Sequence, residues 1–249
     1  MSTYIIDVKE GYSNIVFFQN DQLRDIHLNS YSNICDLIRF IKDVSNHSKI
    51  LITSSCLLED KKIAEELKTS YHSAYFLQDI LHQLPIPFHT LEPKDLRSLA
   101  NFYGALKRFP LNDCLIVDLG TENRFDLFSK EGLYLAGSIC TFPAKFQTEK
   151  PIFSMEQTHQ EKIETGVYYG LLGSIERISQ ELSLSTPSPS SVKILATGNI
   201  LFNKEDANKQ SNSPFIKDLQ EIVDDICPHL TFLGLNEIFK EFLLKQQEK

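Results

Sequence analysis

The stretch "CLIVDLGTENRFDLF", residues 114–128, ends an apolar run on a carboxylate, turns through Gly120-Thr121 and resumes as a strand-like segment. One reading is a hairpin with a polar tip. The other is a phosphate or metal cradle. Glycine amides can approach phosphate oxygens because no Cβ intervenes, and a threonine hydroxyl adds a donor. A strand-end carboxylate such as Asp118 can hold Mg2+ through water, since that ion dehydrates reluctantly. The same plan opens the chain: "YIIDVKEGYSNIVFF" carries Asp7, Gly11 and Ser13 in corresponding places. A third turn, in "VKILATGNI", ends a strand on Thr197-Gly198. Asp126 can pin its own hairpin, and Arg124 can pair with Asp118, Asp126 or Glu122 and fill the space beside them. His159 has no Cys or His neighbour at ligand spacing, which argues against a zinc site.

These residues need elements to hold them. "TYIID", "NIVFFQ" and "DQLRDIHL" read as strands, "ICDLIRFIKDV" as a helix, "KILITSSC" as a strand and "EDKKIAEELKTS" as a helix. "LPIPFHTLEP" is a proline-rich connection. A helix then opens near Pro93, with Leu96, Leu99, Ala100, Tyr103 and Leu106 at helical spacing. The second half repeats the grammar. Three strands cover residues 114–140 with "KEG" at a hairpin tip, followed by a long helix "EKIETGVYYGLLGSIERISQEL". In that helix Gly166, Gly170 and Gly173 keep one stripe small enough for a second helix to approach. "FIKDLQEIVDDI" and "NEIFKEFLLKQQ" read as closing helices, with the terminal "FKEFLLKQQEK" expected as a solvated amphipathic helix. The order implies an α/β fold of two mixed sheets with helical cover, facing each other across a cleft, with domains 1–110 and 111–249.

Bulk properties narrow the functions. The 249 residues are 42% apolar and 23% charged, with a formal charge of −8. That balance argues against a general nucleic-acid surface, which needs a basic face, and leaves room for a local basic pocket for a small phosphorylated ligand. No apolar run approaches membrane-spanning length. Five cysteines stand far apart without a C-x-x-C pair, as expected of reduced thiols. "MSTYIIDVKEG" reaches Asp7 without the apolar core of a signal peptide, so a cytoplasmic location is expected.

Taken in order, the motifs resemble those of the type III pantothenate kinases, within the actin-like ATPase and sugar-kinase superfamily. "IVDLGT…FD" resembles the V-D-x-G-T-A-T-T-x-D segment at Asp118, Gly120, Thr121 and Asp126. "GLYLAGSI" resembles G-x-Y-L-G-G-x-I, and "TGVYYGLLGSIERI" resembles S-G-x-x-Y-G-x-x-G-x-I-x-x-I. "ILATGNI" resembles the nucleotide-side A-T-G-G turn, and "LTFLGL" the late L-x-x-x-G-L segment. In the first half the Asp7 hairpin, "ILITSSC" and "LAN" at residues 99–101 match. The resemblance implies two ribonuclease-H-like domains clamping ATP and Mg2+ with a monovalent cation. It implies transfer of phosphate to pantothenate at the first step of coenzyme A synthesis, by a homodimer. It would assign phosphate and Mg2+ binding to Asp7, Gly11, Ser13, Asp118, Gly120 and Thr121, with Asp7 and Asp118 holding the metal through water. Thr197 and Gly198 would line the nucleotide, and Thr158 and His159 the substrate.

The departures cluster at the chemistry. The first turn, Asp7 to Ser13, is two residues longer than D-x-G-N-T and is expected to bulge. The family's catalytic Asp stands in a G-A-D-R motif before L-A-N. Here the stretch is "EPKDLRSLAN", with Arg97 or Ser98 at that place and Asp95 the nearby carboxylate that could be recruited as base. Glu122 and Arg124 replace small residues of the second turn and would block the site. The signature Lys of G-K-N-T is absent. The expectation is therefore a homologue with activity impaired or lost. Its alternative is a non-catalytic dimeric binding or regulatory protein on the same fold.

Overall fold

In the computed structural model the described residues are 2–9, 12–29, 38–41, 43, 48–54, 74–81, 83, 96–120, 122–141, 149–154, 156–201 and 213–247. The first unit carries five strands, β1 (Ser2–Lys9), β2 (Tyr12–Gln19), β3 (Gln22–Asn29), β4 (Lys49–Ser54) and β5 (Ala74–Phe76), with helical residues at 38–41 between β3 and β4. Helices α1 (Leu77–Leu81) and α2 (Leu96–Arg108) follow, then β6 (Cys114–Asp118), β7 (Glu122–Phe128) and β8 (Tyr134–Thr141). The chain closes with α3 (His159–Leu184), β9 (Lys193–Thr197), α4 (Pro214–Gln220), β10 (Asp225–Ile226) and α5 (Leu230–Gln247).

The expected duplication is present in the topology. The sheets run β3-β2-β1-β4-β5 and β10-β9-β6-β7-β8, the same order read from opposite edges. In each, the first strand pairs antiparallel with the second and parallel with the fourth. Asp7 lies opposite Asn14 and Thr53, as Asp118 lies opposite Arg124 and Thr197. The fourth strands even share a sequence, Lys-Ile-Leu-x-Thr at residues 49–53 and 193–197.

The chain divides into two compact units. One is Met1–Ile86 with Leu235–Lys249, the other Pro87–Gly234. This differs from a boundary at residue 110. Helix α2 packs with the second unit, because Phe102 and Ala105 join Cys114, Ile116, Phe128 and Leu230 in one cluster. The C-terminal part of α5 packs with the first, where Phe239 and Phe242 lie against Tyr75 at ring separations of 5.4 and 5.3 Å. The closing helix is thus amphipathic as expected, but its apolar face is buried.

Several elements depart from the sequence reading. The first hairpin does not bulge after Asp7: its strands stay paired out to Lys9 opposite Tyr12. The turn between β2 and β3, Asn20-Asp21, takes positive φ at both residues (49° and 66°), the tight connection whose twist matches paired strands. The helix expected over residues 215–226 stops at Gln220, and Asp225-Ile226 adds a short parallel strand beside β9. Strand β5 and helix α1 have no counterpart in the sequence reading. The helix expected at 59–70 and the proline-rich connection lie outside the described residues. Among the described residues, Cys114, Cys140 and Cys227 are free thiols, and no helix is long and apolar enough to cross a membrane.

Within the second unit, α2 and the start of α5 cross on glycines. A Cβ on Gly234 would lie 1.6 Å from the Ala100 carbonyl oxygen, and one on Gly104 would lie 2.6 Å from that of Leu230. Neither backbone can yield cheaply. By contrast a Cβ on Gly166 or Gly173 of α3 meets nothing within 4 Å. Gly234→Ala is expected to destabilise by about 2–3 kcal/mol through overpacking. Gly173→Ala should be neutral or stabilise by up to about 1 kcal/mol through helix propensity. Urea denaturation of the two variants checks the contrast.

Candidate functional site

Strand parity sets the site. Strand β6 is buried along its whole length, with Leu115 and Val117 in the cluster beneath α3 and α4, and Cys114 and Ile116 in the cluster beneath α2. Side chains alternate along a strand, so Asp118 emerges on the α2 side. The neighbouring β7 obeys the same rule. Phe125 and Leu127 join the α3 cluster, while Asp126 and Phe128 face α2. Two carboxylates therefore end up beneath the first turns of one helix.

That helix answers both of them. The Arg97 guanidinium grips Asp118 through two nitrogens, Nη2 to Oδ1 at 2.7 Å and Nε to Oδ2 at 2.6 Å. Asn101, four residues on and so on the same helix face, donates Nδ2 to Asp118 Oδ2 at 3.1 Å. Its own Oδ1 accepts from the Thr231 hydroxyl at 2.6 Å. Adjacent Ser98 donates to Asp126 Oδ2 at 2.6 Å, and the Tyr134 hydroxyl lies 3.5 Å from Asp126 Oδ1. Asp118 is 4% exposed, so its charge needs such partners. Of the helix face expected from Leu96, Leu99, Ala100, Tyr103 and Leu106, Leu99 and Ala100 are buried and the other three half-buried, and Ser98 and Asn101 are buried beside it.

The two turns beside Asp118 are knitted to each other. Leu119 N–H donates to the Thr197 carbonyl at 2.7 Å, and Ile200 N–H donates to the Leu119 carbonyl at 3.3 Å. Gly198 makes this possible. Its φ of +116° favours glycine, and a Cβ there would meet Leu119 O at 2.1 Å and Asp118 Oδ1 at 2.7 Å. Gly120 N–H, expected to face a phosphate, donates instead to the buried Asn123 Oδ1 at 3.2 Å. The Thr197 hydroxyl is fully buried without a hydrogen-bond partner among the described residues.

The structure thus brings Asp118, Gly120, Thr197 and Gly198 together, and binds them to Arg97, Asn101, Ser98 and Asn123, whose hydrogen bonds to Asp118, Asp126 and Gly120 the sequence reading did not foresee. Glu122 is exposed on β7, and Arg124, expected to pair with Asp118, Asp126 or Glu122, stands with Nε 4.0 Å from Asp126 Oδ2. Asp7 sits at the equivalent position of the first sheet and accepts from Asn14 Nδ2 at 3.3 Å. Ser13 pairs with Val8 in the ladder. Asp95, Gly11 and Thr121 lie outside the described residues.

Thr158, expected to face substrate, caps α3. Its Oγ1 accepts from Glu161 N–H at 3.3 Å while its own N–H donates to Glu161 Oε2 at 2.6 Å, a reciprocal capping box. His159 is the exposed first residue of that helix. Nearby, Lys150 Nζ contacts both Asp218 oxygens at 3.0 and 2.8 Å, and the Tyr168 hydroxyl donates to Oδ2 at 2.9 Å. The Lys150 hydrogen bond leads in holding the Asp218 carboxyl below its usual range, and burial leads in raising the Tyr168 phenol. No group of three or more metal-ligating side chains occurs among the described residues.

Two predictions follow from this geometry. Arg97→Ala should cost about 2–3 kcal/mol, below the usual cost of breaking a fully buried pair because Arg97 is 39% exposed. The Arg97→Ala/Asp118→Asn double variant should lose less than the sum of the singles, as a denaturation cycle would measure. The Lys150–Asp218 tie, with its depressed carboxyl, is complete above the ordinary carboxylate range. It is lost as pH falls through the folded value. Amide exchange over residues 149–154, referred to the intrinsic rate at each pH, should lose protection only on that acidic side.

No family model matches the chain. Type III pantothenate kinase 2 of Francisella tularensis subsp. holarctica (strain OSU18) is 30% identical over 159 residues, which are 57% of this chain and 54% of that protein. The type III pantothenate kinase of Endomicrobium trichonymphae is 23% identical over 150 residues, 53% of this chain and 51% of its own. The chain thus spans about half the length of the curated relatives it matches. Among solved structures, the activator of the 2-hydroxyisocaproyl-CoA dehydratase from Clostridium difficile, with bound ADPNP, aligns at a TM-score of 0.50. That alignment covers 100% of this chain and 98% of the activator at 11% identity. Over slightly more than half its length this chain is similar to the type III pantothenate kinases, and its fold is that of the actin-like ATPases.

Proposed function

We propose that this chain is a type III pantothenate kinase homologue that keeps the kinase fold and has lost efficient phosphoryl transfer. The observation that carries the reading is the bidentate Arg97–Asp118 pair with Asn101 beside it. Phosphoryl transfer depends on positioning and on cationic stabilisation of the phosphates. Here the strand-end carboxylate is committed to the protein's own guanidinium, and the Gly120 amide to Asn123. Arg97 or Ser98 stands where the family motif has its Asp. Loss of a general base costs about 10²–10⁴ in rate. In the relatives' reaction ATP would meet pantothenate with Mg2+ and a monovalent cation; a chain without turnover needs none of these in that role. The same reading includes a cytoplasmic homodimer. The open Gly166 and Gly173 positions on α3 support it, with exposed Ile163 and Tyr169 on the same helix.

The second reading, a dimeric binding or regulatory protein, is favoured by the mutual hydrogen bonding of the two turns, which uses backbone groups a nucleotide would otherwise engage. Purified chain incubated with pantothenate, ATP, Mg2+ and K+ is expected to form no phosphopantothenate above a protein-free control. Turnover that disappears in Asp118→Asn would contradict the loss of activity. For the assembly, Gly166→Leu/Gly173→Leu should convert the dimer to monomer in sedimentation velocity.

A further inference from the structure

The fold and the resemblance imply a divalent cation at Asp118, and the residues present do not fit one. Mg2+ takes oxygen ligands in near-octahedral order and reaches a protein through carboxylate lone pairs, directly or by way of water. Every group the structure turns toward Asp118 from α2 is a nitrogen donor: Arg97 Nε, Arg97 Nη2 and Asn101 Nδ2. The orientation of Asn101 has a chemical cause. Its amide nitrogen faces the carboxylate because its oxygen would be repelled there, and that oxygen is held by Thr231 from the start of α5. That oxygen is therefore turned away from Asp118. Asp126 offers no second carboxylate, since Ser98 and Tyr134 donate to it.

We infer that the Arg97 guanidinium takes the place of the divalent cation at Asp118, as a tethered positive charge that excludes metal from this unit. A planar guanidinium matches a carboxylate with two parallel hydrogen bonds and is weakly hydrated, so pairing strips little solvation from it. Bound covalently through its own helix, it is present at unit stoichiometry and does not compete with solution ions on equal terms. The inference rests on the side-chain geometry, and on the kinase-like reading only for the expectation that a metal would otherwise be there. Whether pantothenate is the substrate does not enter.

Mn2+, whose free form gives an electron paramagnetic resonance signal lost on binding, is a direct probe. The full chain is titrated with Mn2+ alone, alongside Asp118→Asn, Arg97→Gln, Arg97→Lys and the Arg97→Gln/Asp118→Asn double variant. Wild type and Asp118→Asn are expected to give superimposable curves. Arg97→Gln should gain one site, in roughly the millimolar range or tighter, that the double variant lacks. Arg97→Lys, which keeps the charge, should not gain it. A wild-type site that disappears in Asp118→Asn overturns the inference, as does an Arg97→Gln chain that folds by circular dichroism and gains no Asp118-dependent site. Should Arg97→Gln fail to fold, the comparison of wild type with Asp118→Asn decides the matter alone. Failure of the kinase reading would show instead in the phosphopantothenate assay and would leave these curves unchanged.

Discussion

A carboxylate at the buried end of a central strand must meet a counter-charge or a full set of donors, because an uncompensated ion in a protein interior costs several kcal/mol. Much of the second unit near its site is arranged around how Asp118 meets that demand. Helix α2 supplies Arg97 and Asn101 at a four-residue spacing, and Ser98 between them serves Asp126. For the helix to sit that close, its crossing with α5 is built on Gly104 and Gly234. Thr231 on α5 then closes the chain of contacts by holding Asn101. Electrostatic demand at one residue, steric permission at two glycines and one orienting hydroxyl form a single connected unit.

The same arrangement explains why the turns beside Asp118 look like a ligand cradle and are spent internally. In a phosphate turn the backbone amides point outward and stay unsatisfied until the ligand arrives. Here Leu119 donates to Thr197, Ile200 to Leu119, and Gly120 to Asn123. Gly198 keeps its left-handed backbone for a reason internal to the fold: any side chain would collide with Leu119 and Asp118. A glycine that marks a nucleotide turn by resemblance is therefore also required by packing alone.

Much of the architecture was legible in the sequence because it is written in periodicity. The paired hairpins, the "KEG" tip, the long α3 helix and the strand ending on Thr197-Gly198 all follow from apolar alternation and turn residues. The duplication was visible in the Asp hairpins, and more plainly in the Lys-Ile-Leu-x-Thr strands at 49–53 and 193–197. The site was less legible. Arg97 and Asn101 are polar residues beside the apolar face of Leu96, Leu99, Ala100, Tyr103 and Leu106, and periodicity assigns them no partner. Only the parity of β6, with Asp118 on the side of Cys114 and Ile116, shows what they must serve. Glu122 and Arg124 drew attention by charge, yet neutral Asn123 is the residue that satisfies Gly120, because strand alternation turns it inward between them. Short elements such as β5 and β10 carry too few residues to register a period.

The central claim is that a guanidinium, not a metal, holds Asp118. The most direct measurement is a crystal structure grown with Mn2+ and a non-hydrolysable ATP analogue, with anomalous scattering recorded at the manganese edge. Arg97 is expected to remain paired with both Asp118 oxygens, with no anomalous peak within coordination distance of them, directly or through one water. A manganese peak bonded to Asp118, with Arg97 displaced into solvent, would contradict it.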